Sequence, residues 1–210
     1  MPDSPIADLV LASASPRRRE LLEQLGLILD VTPANVDETP HPGERPADYV
    51  KRVAAAKCDA IAQARTTDLS TLPIVAADTI VIVDNAILGQ PADEADARRM
   101  LLALAGRRHD VTTAYKISFR GRALERSVTT TVSFRSLRPA EVDAYLACGE
   151  WRGKAGGYAV QGRAGAFATE LRGSHTNVIG LPLAELLADL QALEALPGYP
   201  PRAFGVRSSP

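Results

Sequence analysis

Hydrophobic and polar positions follow two different periods along this chain. Apolar runs at residues 9–12 and 74–83 are typical of strands in a buried sheet. Val50, Val53 and Ile61 instead recur at helical spacing, which places them on one face of a helix. The same patterns predict strands at 9–12, 74–83, 87–88, 111–119 and 123–134, and helices at 16–25, 46–64, 93–105, 139–146 and 182–196.

Local signals mark where these elements begin and end. Ser15 is a good N-cap, Pro16 suits the first helical position, and Gly26 suits a C-terminal stop. The Asp84-Asn85 pair predicts the turn of a hairpin. A loop is predicted at residues 30–46, and residues 149–173 form a glycine-rich stretch for which no element is predicted. Helices that alternate with strands around a central hairpin predict an α/β fold with a mixed sheet, in one domain without a linker.

Composition narrows the class of protein. The 210 residues are 46% hydrophobic and 23% charged, as in globular domains. A net charge of −1 and a pI near 6.3 give no general attraction to nucleic acid or to an anionic membrane. Cys58 and Cys148 form no metal-ligand pattern, residues 1–8 lack a signal core, and no apolar run reaches the roughly 20 residues of a membrane span. We expect a cytoplasmic protein with reduced thiols and a disordered tail at 197–210.

The segment from Ser13 to Arg19 carries the first candidate chemistry. Arginines at positions 17 to 19 occupy the first turn of a helix, where the positive end of the helix dipole disfavours them. Free backbone N–H groups at the same end favour an anion. The segment therefore predicts a cradle for phosphate. The alternative is a solvated basic turn, partly offset by Glu20 and Glu23.

Lys57 and Asp78 place charges inside apolar patterns. Lys57 lies on the apolar stripe of its helix, four residues after Val53 and four before Ile61. Its side chain either extends along the surface to solvent or reaches a phosphate. Asp78 interrupts an apolar strand, and an unpaired buried carboxylate is costly. We therefore expect Asp78 to be protonated, paired, bound to a metal, or at a strand end that faces a cleft.

Two loops add further candidates. Asp37 and Glu38 offer the carboxylate oxygens that Mg²⁺ or Mn²⁺ requires, unless they belong to a solvated loop. In the run from Gly153 to Gly162, glycines permit close backbone approach to a ligand, and the Gln161 amide could read a base edge. The alternative is a glycine-rich surface loop. The chain has neither a Walker phosphate loop nor a G-x-G-x-x-G motif after a strand.

The segment after the glycine-rich run offers caps rather than catalysis. Ser174, Thr176 or Asn177 could cap the following helix. His175 has no partner at metal-ligand spacing, and no G-x-S-x-G nucleophile elbow is present.

Four blocks of the sequence, taken in order, resemble the Maf family. They are Leu11 to Leu22 (LASASPRRRELL), Ala77 to Val81 (ADTIV), Lys154 to Gly162 (KAGGYAVQG) and Gly173 to Leu183 (GSHTNVIGLPL). The resemblance extends from about Leu9 to about Leu190. Each block is weak alone, and their shared order makes the resemblance specific.

The resemblance implies an elongated α/β fold with a central cleft, similar to that of inosine-triphosphate pyrophosphatases, with residues 1–196 as one domain of two lobes. It implies a cytoplasmic enzyme that cleaves nucleoside triphosphates between the α- and β-phosphates with a divalent cation, often as a homodimer. Removal of non-standard nucleotides is a role that fits this reaction. The block from Lys154 to Gly162 is more similar to the dTTP/UTP branch than to the 7-methyl-GTP branch.

The resemblance also implies roles for individual residues. Asp78 would accept a proton from water, and Glu38 would join it in facing the metal. The residues that match phosphate-binding positions are Ser13, Arg18 and Lys57, those that match base-selecting positions are Arg17, Thr79 and Gln161, and a further substrate contact is Lys154.

Three positions depart from the family pattern. Gln90 stands where a lysine is usual, which removes a phosphate contact that Lys154 or Arg163 could replace. Gly153 stands where many members have aspartate, and His175 where tyrosine or phenylalanine is frequent. Two other functions stay open. One is a nucleotide-sensing protein linked to cell division and without turnover, and the other is a pyrophosphatase for modified or purine triphosphates.

Overall fold

The computed structural model describes residues 7–65, 72–197 and 199, and within them the chain forms one mixed sheet of seven strands with helices on both faces. The strands are β1 (Leu9–Leu11), β2 (Leu29–Val31), β3 (Ile74–Val83), β4 (Ala86–Leu88), β5 (Arg108–Phe119), β6 (Arg122–Phe134) and β7 (Ala168–Arg172). The helices are α1 (Pro16–Glu23), α2 (Pro46–Ala64), α3 (Glu94–Leu104), α4 (Pro139–Cys148), α5 (His175–Ile179) and α6 (Leu183–Ala192). The strand order is β2-β1-β3-β5-β6-β7, with β4 also beside β3.

The two edges of the central strand β3 are paired differently. One edge pairs antiparallel with β5 from Ile74 to Ile82. The other edge pairs parallel with β1 at Ile74 and Val75, and antiparallel with β4 at residues 81–83. Residues 76–80 have no strand partner on this second edge among the described residues. The sheet therefore has a gap in its middle, from which both faces of β3 can be reached.

Alternation along β3 divides its side chains between two faces. Ala76 and Ile80 face α2 and pack in apolar clusters with residues of that helix. On the opposite face, Val75 belongs to a cluster with residues of α1 and α6, whereas Val81 belongs to a second cluster with residues of α3 and α4. The sheet is thus covered by one long helix on one face and by two separate apolar clusters on the other.

A row of polar side chains crosses the sheet between these two clusters. Thr79 of β3 and Thr113 of β5 are direct neighbours in the sheet, with Oγ1 atoms 2.9 Å apart. Thr130 of β6 accepts a hydrogen bond from Asn177 Nδ2 at 2.9 Å. Thr113, Thr130 and Asn177 are fully buried. Because buried polar groups need partners, this row fixes the short helix α5 across the sheet and brings its C-terminal end to the gap.

The strongest sequence patterns give the correct elements. The bounds of α2 and β3 are those predicted, and the predicted hairpin joins β3 to β4. Ser15 caps α1 by accepting a hydrogen bond from the Arg18 N–H at 3.5 Å, and Asp93 caps α3. The mixed α/β architecture is confirmed.

Short and exposed elements contradict the predictions. The region predicted as a loop from residue 30 overlaps the edge strand β2, and the glycine-rich stretch, for which no element is predicted, contains β7. Both strands lie at an edge of the sheet and are largely half-buried or exposed, so their patterns lack an apolar run. Helix α5 spans five residues, too few for a helical period to show, and α6 ends at Ala192 rather than 196. Ser174 caps α5, while Thr176 Oγ1 accepts a hydrogen bond from the first N–H of α6 at 3.1 Å.

Two other expectations concern the ends of the chain and the membrane. The tail predicted at 197–210 lies outside the described residues, apart from Pro197 and Tyr199. Among the helices in the described ranges, none has the length and apolar character needed to cross a membrane.

Candidate active site

The gap beside β3 opens into a cleft of about 440 Å³. Its walls come from the segment after β1, from α1 and α2, from β3, from the loop after β4, from the glycine-rich segment and from the end of α5. Nine residues predicted from the sequence line this cleft: Ser13, Arg17, Arg18, Glu38, Lys57, Asp78, Thr79, Lys154 and Gln161. Asp37 does not line it, and its exposed carboxylate accepts a hydrogen bond from the Thr39 N–H at 2.8 Å. The structure therefore brings together residues that are up to 148 positions apart in sequence (13 to 161), whereas their roles stay predictions.

Lys57 joins two carboxylates on the α2 side of the gap. Its Nζ lies 2.9 Å from Asp78 Oδ1 and 3.0 Å from Glu38 Oε1. Lys57 and Asp78 are each 8% exposed, whereas the Glu38 side chain is half exposed. Of the alternatives for these residues, the structure shows Lys57 pointing into the cleft edge and Asp78 paired with it. A buried ion pair of this kind is expensive to desolvate, which favours a functional reason for its presence.

The Asp78 and Glu38 carboxylates suit a hard cation. Both contact the same ammonium group, so they lie close enough to share one ion, and oxygen ligands are those that Mg²⁺ and Mn²⁺ prefer. Within the described ranges, no three histidine, cysteine, aspartate or glutamate residues group in a way that could hold a metal ion. A divalent cation held by these two carboxylates would need phosphate oxygens and water as its other ligands, which is the usual arrangement for Mg²⁺.

Arg18 holds the opposite side of the gap together. Its Nε donates to the Gly180 carbonyl at 2.8 Å, its Nη1 to Ser13 Oγ at 3.1 Å and its Nη2 to Thr79 Oγ1 at 3.0 Å. Arg18 is 8% exposed, and burial lowers its pKa while the charge of Asp78 opposes that effect. A planar guanidinium suits this fork of three acceptors. Arg18 therefore connects α1, the segment after β1, β3 and the residue that follows α5 around the cleft.

The other two arginines of α1 differ from Arg18 in their surroundings. Arg17 also lines the cleft, where its Nη2 donates to the Gly153 carbonyl at 3.2 Å and its Nε to the Ile179 carbonyl at 3.4 Å. Arg19 instead forms an exposed pair with Glu23, with Nε 2.7 Å from Oε1. The predicted anion-binding cluster is thus two residues at the cleft and one on the surface.

The glycine-rich segment forms the rim of the cleft next to the loop after β4. Gly156 donates its N–H to the Gly89 carbonyl at 3.0 Å, and its positive φ of 69° suits glycine. A Cβ on Gly156 would meet Val81 Cγ2 at 2.8 Å, so the backbone approach needs a residue without a side chain. Lys154 lies on this rim, and burial together with the Arg17 charge lowers its pKa.

Two of the departures from the family pattern meet at the same rim. Gln90 lines the cleft as a neutral amide, and a Cβ on Gly153 would lie 4.0 Å from Gln90 Oε1. Arg17, Arg18, Lys57 and Lys154 still line the cleft against the carboxylates of Glu38 and Asp78. The cleft therefore carries an excess of positive charge in a chain whose net charge is −1.

Three residues of the site were missed in the sequence. The Tyr49 hydroxyl donates to the Glu38 carbonyl at 2.9 Å and so holds the carboxylate loop against α2. Tyr49 lies eight residues before Lys57, on the same helical stripe, and this spacing was the available signal. Gly180 accepts a hydrogen bond from Arg18, and Thr113 contacts the Thr79 hydroxyl. Both contacts join elements that are distant in sequence, so no local pattern indicates them.

Known proteins with a similar fold or sequence show the fold class and the family of this chain. The fold is similar to that in a solved structure of the Staphylococcus aureus Ham1 protein, with a TM-score of 0.51 and 15% identity over 88% of this chain and 98% of that chain. This similarity defines an α/β protein of the Ham1 fold. The family model described as Maf-like protein matches residues 8–193, and the chain belongs to that family.

Curated relatives in this family share about half of their residues with the chain. A dTTP/UTP pyrophosphatase of Anaeromyxobacter dehalogenans is 52% identical over 187 residues, covering 87% of this chain and 92% of the relative. Proteins of the same name from Bordetella parapertussis and Cereibacter sphaeroides are 50% and 48% identical, covering 88% and 91% of this chain and 91% and 97% of those relatives.

Proposed function

We propose that this protein is a nucleoside-triphosphate pyrophosphatase that hydrolyses dTTP and UTP to the monophosphate and pyrophosphate in the cytoplasm. The observation that carries the proposal is the cleft, where Lys57 bridges two carboxylates opposite a buried arginine fork. Relatives named dTTP/UTP pyrophosphatase, about 50% identical over most of the chain, support the substrate. We also propose that residues 1–196 act as one catalytic unit of two lobes.

Asp78 is the residue that we propose as the proton acceptor. Lys57 Nζ donates to its Oδ1 at 2.9 Å, which fixes the carboxylate, and its second oxygen would accept the proton of the attacking water. Glu38, on the same ammonium, adds negative charge on the exposed side. A water molecule next to the α-phosphate becomes a stronger nucleophile when Asp78 removes its proton. The cations of the cleft would neutralise the charge that develops on the phosphate oxygens.

The remaining predicted residues divide by the side of the gap on which they lie. Lys57 and Ser13, with Arg18 behind Ser13, would hold phosphate oxygens. On the Arg18 side of the gap, Thr79 would face the base, with Arg17 and Gln161 at the same end of the cleft. Lys154 at the rim is the cation that would replace the family lysine at position 90.

A divalent cation fits the two carboxylates. Asp78 and Glu38 would hold Mg²⁺ or Mn²⁺, which would polarise the phosphate oxygens when bound. We also propose that the protein forms a homodimer and that it acts without nucleic acid or membranes as partners.

A second candidate function is nucleotide binding without turnover, linked to cell division. Gln90 favours it, because a neutral amide stands in the cleft where the family usually has a cation. The paired Asp78, Glu38 and Lys57 favour hydrolysis instead. Hydrolysis of modified or purine triphosphates, such as 7-methyl-GTP, differs from the main proposal only in the base.

Release of pyrophosphate from a panel of triphosphates tests these proposals. The panel contains dTTP, UTP, CTP, ATP, GTP and 7-methyl-GTP, each with Mg²⁺, with Mn²⁺ and with chelator. We expect metal-dependent release that is fastest with dTTP and UTP. If release is fastest with 7-methyl-GTP, the proposed substrate is wrong and 7-methyl-GTP takes its place. If nucleotides bind but no pyrophosphate is released, the protein is a nucleotide sensor rather than a hydrolase. Release that persists in chelator would remove the metal from the proposal.

A further inference from the structure

We propose that Thr113, a buried residue outside the cleft lining, sets base preference by fixing the direction of the Thr79 hydroxyl. This inference rests on the proposed function, in which Thr79 faces the base. Thr113 is 0% exposed, whereas Thr79 is half-buried and lines the cleft. Thr113 is thus a positioning residue that acts through Thr79.

The hydroxyl hydrogens of Thr79 and Thr113 have a fixed direction in the contact between the two side chains. Each hydroxyl has one hydrogen to donate. The Thr113 hydroxyl donates to the Asn177 backbone carbonyl at 3.0 Å, and that carbonyl can only accept. The Thr113 hydrogen is therefore used. In the 2.9 Å contact between the two Oγ1 atoms, Thr79 must be the donor and Thr113 the acceptor.

The alternative direction for the Thr79 hydrogen is also inside the protein. The Gly180 carbonyl lies 3.4 Å from Thr79 Oγ1, a longer contact than the one to Thr113. If Thr79 donated to Gly180, the 2.9 Å contact between the two hydroxyls would need the hydrogen of Thr113 instead. The buried Asn177 carbonyl would then lose its hydrogen-bond partner. The shorter pair of contacts therefore holds the Thr79 hydrogen on Thr113.

Thr79 consequently offers the cleft an acceptor and no donor. Arg18 Nη2 donates to one of its lone pairs at 3.0 Å, which leaves the second lone pair for a ligand. Uracil and thymine carry an N–H donor at ring position N3, whereas cytosine has an unprotonated acceptor there. An acceptor that faces N3 pairs with the first two bases and leaves cytosine and Thr79 both unpaired. Such unpaired polar groups are what makes a site selective.

Replacing Thr113 by valine tests the inference. Thr113→Val keeps the shape of the side chain and removes the acceptor, so the Thr79 hydroxyl can turn and donate to cytosine N3. We expect the ratio of kcat/KM for UTP to that for CTP to fall about three- to tenfold, the size of one hydrogen bond. Thr113→Ser retains the hydroxyl and should keep the wild-type ratio. Thr113→Ala provides a second variant without a hydroxyl if valine does not fold.

Loss of the Thr113 hydroxyl also removes a contact that holds α5, and Thr130→Val is the matched control for that effect. The Thr130 hydroxyl donates to the Ser174 carbonyl at 3.0 Å and accepts from Asn177 Nδ2 at 2.9 Å, so it anchors the same helix without touching Thr79. We expect a lower melting temperature and an unchanged ratio of UTP to CTP. A ratio that falls equally in Thr130→Val would overturn the inference. A ratio that stays constant in folded Thr113→Val, or in Thr113→Ala where valine does not fold, would also overturn it.

A binding measurement separates this inference from the proposed function. If the wild-type protein releases no pyrophosphate from any triphosphate, the proposed hydrolysis fails. Calorimetric titration with the α,β-imido analogues of UTP and CTP then reads the same preference without turnover. Stronger binding of the uracil analogue by the wild type, reduced in Thr113→Val, supports the role of Thr113. Equal affinity of the wild type for the two analogues contradicts it.

Discussion

Asp78 and Thr79 are adjacent in the sequence, yet their side chains lie on opposite faces of β3 in different surroundings. Around Asp78 the partners are fully charged, with Lys57 Nζ at 2.9 Å and Glu38 on the same ammonium. Around Thr79 they are a threonine hydroxyl, a backbone carbonyl and one buried guanidinium, that of Arg18. One strand thus presents an ionic surface on one side and a hydrogen-bonding surface on the other.

The gap in the sheet is what makes both surfaces available to one ligand. A strand paired along both edges would separate its faces into two sites, because successive side chains point to opposite sides. Residues 76–80 have one unpaired edge among the described residues, so the cleft reaches Asp78 and Thr79 together. Under the proposed function, the ionic side performs the chemistry and the hydrogen-bonding side recognises the base.

Removing the charge of Asp78 should have the largest effect. Asp78→Asn keeps the size of the side chain and abolishes its basicity, so we expect kcat for UTP to fall about 10²- to 10⁴-fold, the range for loss of a general base. Binding of the α,β-imido analogue of UTP, measured by calorimetry, should stay within a few-fold of wild type. Asp84→Asn, at an exposed turn where Asp84 pairs with Arg107, is the matched control and should retain activity. Retained turnover in Asp78→Asn, or an equal loss of turnover and binding, contradicts the assignment.

Replacing Arg18 should affect the hydrogen-bonding side more than the ionic side. Arg18→Lys keeps the positive charge but loses the fork that holds Gly180, Ser13 and Thr79. We expect KM for UTP to rise about tenfold or more, with a smaller change in kcat, and the free energy of unfolding to fall by about 1–3 kcal/mol. Steady-state kinetics and urea unfolding measure these changes. A fall in kcat with unchanged KM would assign Arg18 to the chemistry instead.

The sequence predicts the ionic side of the site better than the other side. Lys57 and Asp78 are visible because each breaks an apolar pattern, and long regular elements such as α2 and β3 have the predicted bounds. The hydrogen-bonding side depends on Thr113, Asn177 and Gly180, whose contacts join β5, α5 and β3 over large sequence separations. A threonine in a strand is ordinary by its type, so only the fold shows its partner.

The short elements were missed for a related reason. β2, β7 and α5 gain their stability from neighbours rather than from a pattern of their own. Helix α5 is held by Asn177 Nδ2, which donates to the Val111 carbonyl at 3.0 Å, and by Thr113. The Maf resemblance did identify the residues of this segment, because four ordered blocks carry information that periodicity does not.

His109 provides a pH-dependent test on the Thr79 face of the sheet. It is buried beside Tyr158, with Nε2 2.8 Å from the hydroxyl, and burial lowers its pKa from 6.5 to about 4. As the pH falls below 6.5, His109 binds a proton in the unfolded chain, whereas in the folded protein it stays neutral until about pH 4. His109 therefore contributes nothing to the pH dependence above 6.5 and costs about 2 kcal/mol of stability by pH 5.

Urea unfolding at pH 7 and pH 5 measures this cost. Between the two values, the wild-type protein should lose about 2 kcal/mol more unfolding free energy than His109→Gln, whose amide can still bond the Tyr158 hydroxyl. His175→Gln, at an exposed position on α5, should keep the wild-type dependence. An identical loss in wild type and His109→Gln would show that His109 is not held neutral.

We expect the smallest effect from the replacement of Arg19, the arginine of α1 that lies on the surface rather than in the cleft. Arg19 pairs with Glu23 four residues later, and both side chains are exposed, so solvent screens the pair and its removal costs little stability. That loss is offset because a cation is disfavoured near the N-terminus of a helix by about the same amount. Arg19→Ala should therefore leave the melting temperature essentially unchanged and keep kcat/KM for UTP within about twofold of wild type. Arg17→Ala, two positions earlier and in contact with the Gly153 carbonyl, should lower kcat/KM about tenfold. Equal losses in the two variants would mean that the basic turn acts through its total charge, and the division of α1 between cleft and surface would have no functional meaning.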